Sequence, residues 1–109
     1  MNSKKNGCSL IGDKMTIKNF QQLIFDRYHK TDSARGIGGT FIWLSEEFGE
    51  LAHALGKYER GDDVDMENLA EEFADVFAWL ATLANITGVD LTEAIANKYV
   101  KDGGPEGEK

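Results

Sequence analysis

The stretch TFIWLSEEFGELAHALGKYERGDDVDMENLAEEFADVFAWLATL, residues 40–83, decides the fold. Its first half sets Phe41, Leu44, Phe48, Leu51, Leu55 and Tyr58 at alternating three- and four-residue steps. That spacing predicts a helix from near Thr40 to about Arg60 with an apolar packing seam. Gly61, Asp62 and Asp63 read as a turn. Asp65 is placed to cap a following helix that carries Leu69, Phe73, Val76, Phe77, Leu80 and Leu83, and Gly88 closes it. Two long helices joined by so short a turn run antiparallel.

The acids of this stretch are mirrored about the turn. Before it stand Trp43, Glu46, Glu47 and Glu50; after it stand Glu71, Glu72, Asp75 and Trp79. Residues three apart share a helix face, so Glu47 points with Glu50, and Glu72 with Asp75. Folding about Gly61 brings Glu50 to Glu72, Glu47 to Asp75 and Trp43 to Trp79. Each acid pair then lies roughly 17–21 Å along its helix from the turn, at 1.5 Å per residue. On a helical wheel the four acids border the seam and do not oppose it. Four carboxylates drawn to one edge repel strongly at neutral pH, and a shared divalent cation resolves that repulsion. All the donors are oxygens, which selects Mg²⁺, with Mn²⁺ as the alternative, over zinc or copper. Such a cation also bridges substrate phosphates and activates water. Glu46, one turn from Glu50 and slightly off the metal line, is the spare acid for a general base.

Upstream, Thr16 reads as the N-cap of a helix through Phe20, Leu23, Ile24 and Tyr28 that ends near Lys30. Thr31 to Gly39, with Arg35, Gly36, Gly38 and Gly39, reads as a loop. Downstream, Asp90 with Glu93 has the form of a capping box for a fourth helix that includes Leu91, Ile95 and Tyr99. Residues 1–14 and 102–109 read as flexible tails around a helical domain over 15–101.

Composition agrees with one domain of 109 residues, 41% hydrophobic and 28% charged. A chain this short buries a thin core, so a homodimer or homotetramer is expected. The net charge of -7 argues against nucleic-acid binding, although a cation can mediate contact with a small polyphosphate. Cys8 is the single cysteine, which rules out an internal disulfide and fits a reducing, cytoplasmic setting. Met1 to Gly12 lacks a sustained apolar run, so no secretory leader is expected, and no apolar run suits a membrane span.

The segments Glu46-Glu47-Phe48-Gly49-Glu50 and Glu72-Phe73-Ala74-Asp75 resemble the paired acidic motifs of the MazG-like nucleotide pyrophosphohydrolases. Trp43-Leu44, Leu51-Ala52, Val76, Leu83-Ala84-Asn85 and Gly88-Val89-Asp90-Leu91 are similar too, so the resemblance spans roughly Thr16 to Lys98. It implies an all-α fold, an antiparallel helical hairpin with two flanking helices, whose four-helix-bundle core is completed by oligomerisation. It also implies Mg²⁺-dependent hydrolysis of nucleoside triphosphates to monophosphate and pyrophosphate. Carried over residue by residue, Glu47, Glu50, Glu72 and Asp75 fall on the metal-ligand positions, and Glu46 on the additional acid.

Around this core stand further candidates. Trp43 and Trp79 offer faces for stacking a nucleobase, or pack an interface or core. Arg35 precedes an expected helix start and is a phosphate candidate, as are Lys98, Lys30 and Lys57, against the plainer role of surface cations. Glu50 and His53 show the Glu-x-x-His spacing of di-iron bundles once, and the second acidic helix offers no copy, which disfavours that metal. Two other readings stay open: a non-enzymatic helical interaction module, and the same fold acting on phosphoribosyl-ATP or a dUTP-like nucleotide.

Overall fold

The computed structural model describes residues 14–106, and every described element is helical. Helix α1 spans Ile17–Glu59, α2 spans Met66–Thr87 and α3 spans Leu91–Ile95. A π-helical turn over Ala96–Val100 and a short 3-10 turn over Lys101–Gly103 follow. The all-α class expected from the periodicity is therefore present. The tail expected over 1–14 falls almost wholly outside the described residues, with Cys8 in it, as does the end of the 102–109 tail.

Local chemistry sets the boundaries. Thr16 caps α1, its hydroxyl accepting the Asn19 amide at 3.0 Å. Asp65 caps α2 by accepting the Glu67 and Asn68 amides at 3.0 and 3.3 Å. Gly88 ends α2 in the left-handed region (φ 78°, ψ 20°), its N–H returning to the Ala84 carbonyl. Asp90 caps α3 through the Glu93 amide at 3.1 Å. Each cap satisfies amides or carbonyls that a helix end otherwise leaves unpaired.

Two expectations are corrected. The first helix does not end near Lys30, and Thr31 to Gly39 is not a loop. Helix α1 runs through this segment with one non-helical residue, Gly36 (φ 82°, ψ 179°), where its direction breaks. Only that position needs glycine's freedom. Gly38 and Gly39 are helical, and a partly buried ion pair between Asp32 and Arg35 supports the helix on the near side of the break. Tertiary contacts thus override the weak helix propensity of the glycines. The fourth helix also departs from regular geometry early, at Ala96, so Tyr99 lies in the π-helical turn.

Helix α2 returns antiparallel along α1. Trp79 stacks on Trp43, and Thr82 donates to Asp32 at 2.9 Å. Gln21 donates to Asn85 Oδ1 and to the Val89 carbonyl, and its Oε1 accepts the Leu91 amide at 2.9 Å. One side chain thereby ties the start of α1 to the turn that leads into α3. The buried apolar core is small: Ile24, Leu44, Ala54, Leu69, Val76, Ala81 and Ala84. Alanines at these positions let the two helices approach closely. Large apolar side chains remain exposed on both, including Phe41 at 57% and Phe77 at 64%. Among the described residues, no helix is long and apolar enough to cross a membrane.

Candidate functional site

The C-terminal part of α1 and the first turns of α2, beside the Gly61 turn, border an open cavity of about 820 Å³. Its wall carries Trp43, Glu46, Glu47, Glu50, His53 and Lys57 from α1, and Asp65, Asn68 and Glu72 from the capped start of α2. Heptad-like spacing puts Glu50, His53 and Lys57 on successive turns of one face. Asn68 and Glu72 are likewise four apart.

Glu47, Glu50 and Glu72 converge, each offering a carboxylate oxygen within 4.8 Å of the others. Asp75 stands outside this close trio but acts electrostatically on both Glu47 and Glu72. Glu47 is the most constrained: its Oε1 is buried and has no hydrogen-bond partner. Removal from water, then the charge of Asp75, then those of Glu50 and Glu72 push its pKa above the ordinary carboxylate value of 4.5. The Trp79 side chain acts in the opposite direction as a donor toward Glu47, although no hydrogen bond of full geometry joins them. Glu72 is raised for the same kinds of reason: desolvation first, then Glu50, Asp75 and Glu71.

An enclosed carboxylate oxygen with no donor is costly. The charged groups nearest Glu47 are further acids, which as carboxylates donate no hydrogen bond to it. A hard divalent cation fits this donor set, which is all oxygen and carries an excess of negative charge. Zinc or copper would be expected to take nitrogen or sulfur donors instead. His53 shares the cavity but lies outside the acid trio.

The expected site residues divide clearly. Glu46, Glu47, Glu50, Glu72 and Trp43 share the cavity. Trp79 joins them indirectly, stacked on Trp43 with ring centroids 6.3 Å apart and planes 9° apart. Lys57, one of the lysines weighed for phosphate contact, lines the wall, whereas Lys98 and Lys30 do not. Lys98 extends over Tyr99. Arg35 is engaged elsewhere, with Asp32, Thr40 and Trp79. Asn68 escaped the sequence reading, and Asp65 was read as a helix cap but not as part of this wall. The signal for Asn68 was available, since it lies one helical turn before Glu72 on the same face.

No curated protein matches the chain. The family model for the MazG nucleotide pyrophosphohydrolase domain matches residues 39–101. That span contains the entire acid constellation and covers more than half of the 109 residues. With the antiparallel acidic helices and this match together, the chain belongs to the MazG nucleotide pyrophosphohydrolase domain family.

Proposed function

We propose that this protein hydrolyses nucleoside triphosphates to monophosphate and pyrophosphate with Mg²⁺ or Mn²⁺, cleansing the nucleotide pool. The observation that carries the reading is the convergence of Glu47, Glu50 and Glu72 in one cavity, with an unpartnered buried oxygen on Glu47.

Glu47, Glu50 and Glu72, with Asp75 alongside, would hold the cation. When bound, it supplies Lewis-acid polarisation of the phosphoryl oxygens and a lowered pKa for water. Glu46 lines the same cavity outside the acid trio. It takes the proton from the water that attacks phosphorus. The bond between the α-phosphorus and its bridging oxygen breaks, and pyrophosphate departs. Lys57 sets a positive charge against the phosphates, and Trp43, backed by Trp79, offers a flat apolar surface to the base. The exposed apolar side chains of α1 and α2 would close against a second copy of the chain to complete a four-helix core and narrow the cavity.

The test is incubation with a panel of ribo- and deoxyribonucleoside triphosphates plus Mg²⁺, with pyrophosphate and monophosphate as readouts. Turnover of at least one nucleotide, abolished by chelation, is expected. Absence of turnover across the panel, with folded protein that also fails to bind Mn²⁺ in calorimetry, would overturn the reading.

A further inference from the structure

Among the described residues, a buried polar cluster outside the acid cavity is not used by the proposed chemistry. Asp32 is 4% exposed and Thr40 is fully buried. Arg35 pairs with Asp32 through Nη2, and its Nε donates to Thr40 Oγ1 at 3.1 Å. Thr82, also buried, donates to the second Asp32 oxygen at 2.9 Å. The cluster therefore spans the break at Gly36. Asp32 and Arg35 lie before it, Thr40 after it, and Thr82 on α2.

Two further features adapt the backbone to this arrangement. Gly36 adopts φ 82° and ψ 179°, a region essentially restricted to glycine. A Cβ there would meet nothing within 4 Å, so the requirement is conformational. Gly39 is different. A Cβ on it would come within 2.8 Å of Arg35 Cγ and 3.4 Å of Cδ. The missing side chain makes room for the arginine stem to lie along the next helical turn. From that position the guanidinium carbon sits 4.9 Å from the Trp79 ring centroid. Trp79 in turn stacks on Trp43, a wall residue of the acid cavity.

We propose that Arg35, held by Asp32 and bedded on Gly39, is a positioning residue that fixes the Trp79–Trp43 stack and so shapes the wall of the acid cavity. Planarity matters as well as charge. A guanidinium can pair with a carboxylate, donate to a hydroxyl and lie over an indole at once, which an ammonium does not do. In its bearing on catalysis the inference rests on the nucleotide reading above; in its bearing on the stack it does not.

The experiment compares wild type with Arg35→Lys, Gly39→Ala and, as a control expected to leave every readout unchanged, Arg27→Ala, an exposed arginine of α1 outside the cluster. Arg35→Lys keeps the charge facing Asp32 and loses the planar contact. Gly39→Ala raises helix propensity while displacing the arginine stem. Trp43 and Trp79 are the chain's only tryptophans, so selectively excited indole fluorescence, with the tryptophan bands of the near-ultraviolet circular dichroism spectrum, reads this pair and its immediate surroundings. Both cassette variants are expected to keep far-ultraviolet helicity, change the indole signature and weaken Mn²⁺ binding by about tenfold, the low end for groups that support metal ligands. With a nucleotide substrate, KM should rise more than kcat falls. A purely structural role would instead lower kcat through the active fraction and leave KM alone. Indole spectra and Mn²⁺ affinity within twofold of wild type in both variants would overturn the proposal. An altered indole signature in a protein that hydrolyses no nucleotide would support it while the nucleotide reading fell.

Discussion

Glu47 concentrates the electrostatic tension of the molecule in one side chain. Its raised pKa has a definite consequence for stability. A carboxyl whose folded pKa exceeds its unfolded value favours the native state while protonated. That contribution is present below the ordinary value of 4.5 and is lost as pH rises through the raised folded values of Glu47 and Glu72. Metal-free protein should therefore show a melting temperature that falls from about pH 4.5 toward neutrality through this pair. Saturating Mg²⁺ should restore it at pH 7 and have little effect at pH 4, where protons compete for the ligands. A scan of melting temperature against pH, with and without Mg²⁺, checks both. Glu47→Gln should raise the neutral-pH melting temperature of the metal-free protein and abolish the Mg²⁺ response. Its kcat/KM should fall by at least about a hundredfold, measured by pyrophosphate release. The facing of Glu47, Glu50 and Glu72 was legible in the sequence because helical periodicity puts them on facing edges, whereas the place of Asp75 outside that trio was not. Nor was the inequality among them. Which oxygen is shut away from water depends on how α2 packs against α1, which no local pattern encodes.

Element boundaries were legible wherever one residue acts locally. Thr16, Asp65, Gly88 and Asp90 all do what their side chains or backbone permit within a few residues of chain. The glycine-rich segment was misread because its conformation is set from afar. Asp32 is satisfied partly by Thr82, fifty positions later, and no local rule announces such a partner. The break itself yields a prediction. Gly36→Ala should destabilise the fold by about 1–3 kcal/mol, since an alanine pays the backbone strain although space is free. Chemical denaturation measures it. Gly38→Ala, two residues further on in regular helix, should be neutral or stabilising by about several tenths of a kcal/mol. Equal destabilisation at the two positions would contradict the assignment of the break to Gly36.

At the scale of the whole molecule, periodicity identified apolar faces but not what covers them. Phe41, Phe48 and Leu55 form a stripe at seven-residue steps, and all three are more than 40% exposed. Phe73 and Phe77 are exposed on α2 as well. A single protomer thus buries Leu44 and Val76 and leaves its largest side chains facing outward. Association through them is expected, and Phe77→Glu should weaken it by about 30-fold or more, the effect of losing one central anchor worth about 2 kcal/mol. Sedimentation velocity across a concentration series reads this directly; a wild type that stays monomeric at high concentration would remove the need for a partner. The single-residue break in α1 carries one more implication, for how the chain tolerates changes in length. From Ile37 to Glu59 the helix is unbroken, so each residue inserted or removed between Thr40 and Glu47 would rotate the acids about 100° around the axis. The segment joining α1 to α2 has no such constraint, and doubling it would add only about 0.6 kcal/mol of closure entropy. Length variation should therefore be accommodated after Arg60 and rejected before Glu47, making the spacer ahead of the acids a ruler and the one behind them a hinge pin of adjustable size.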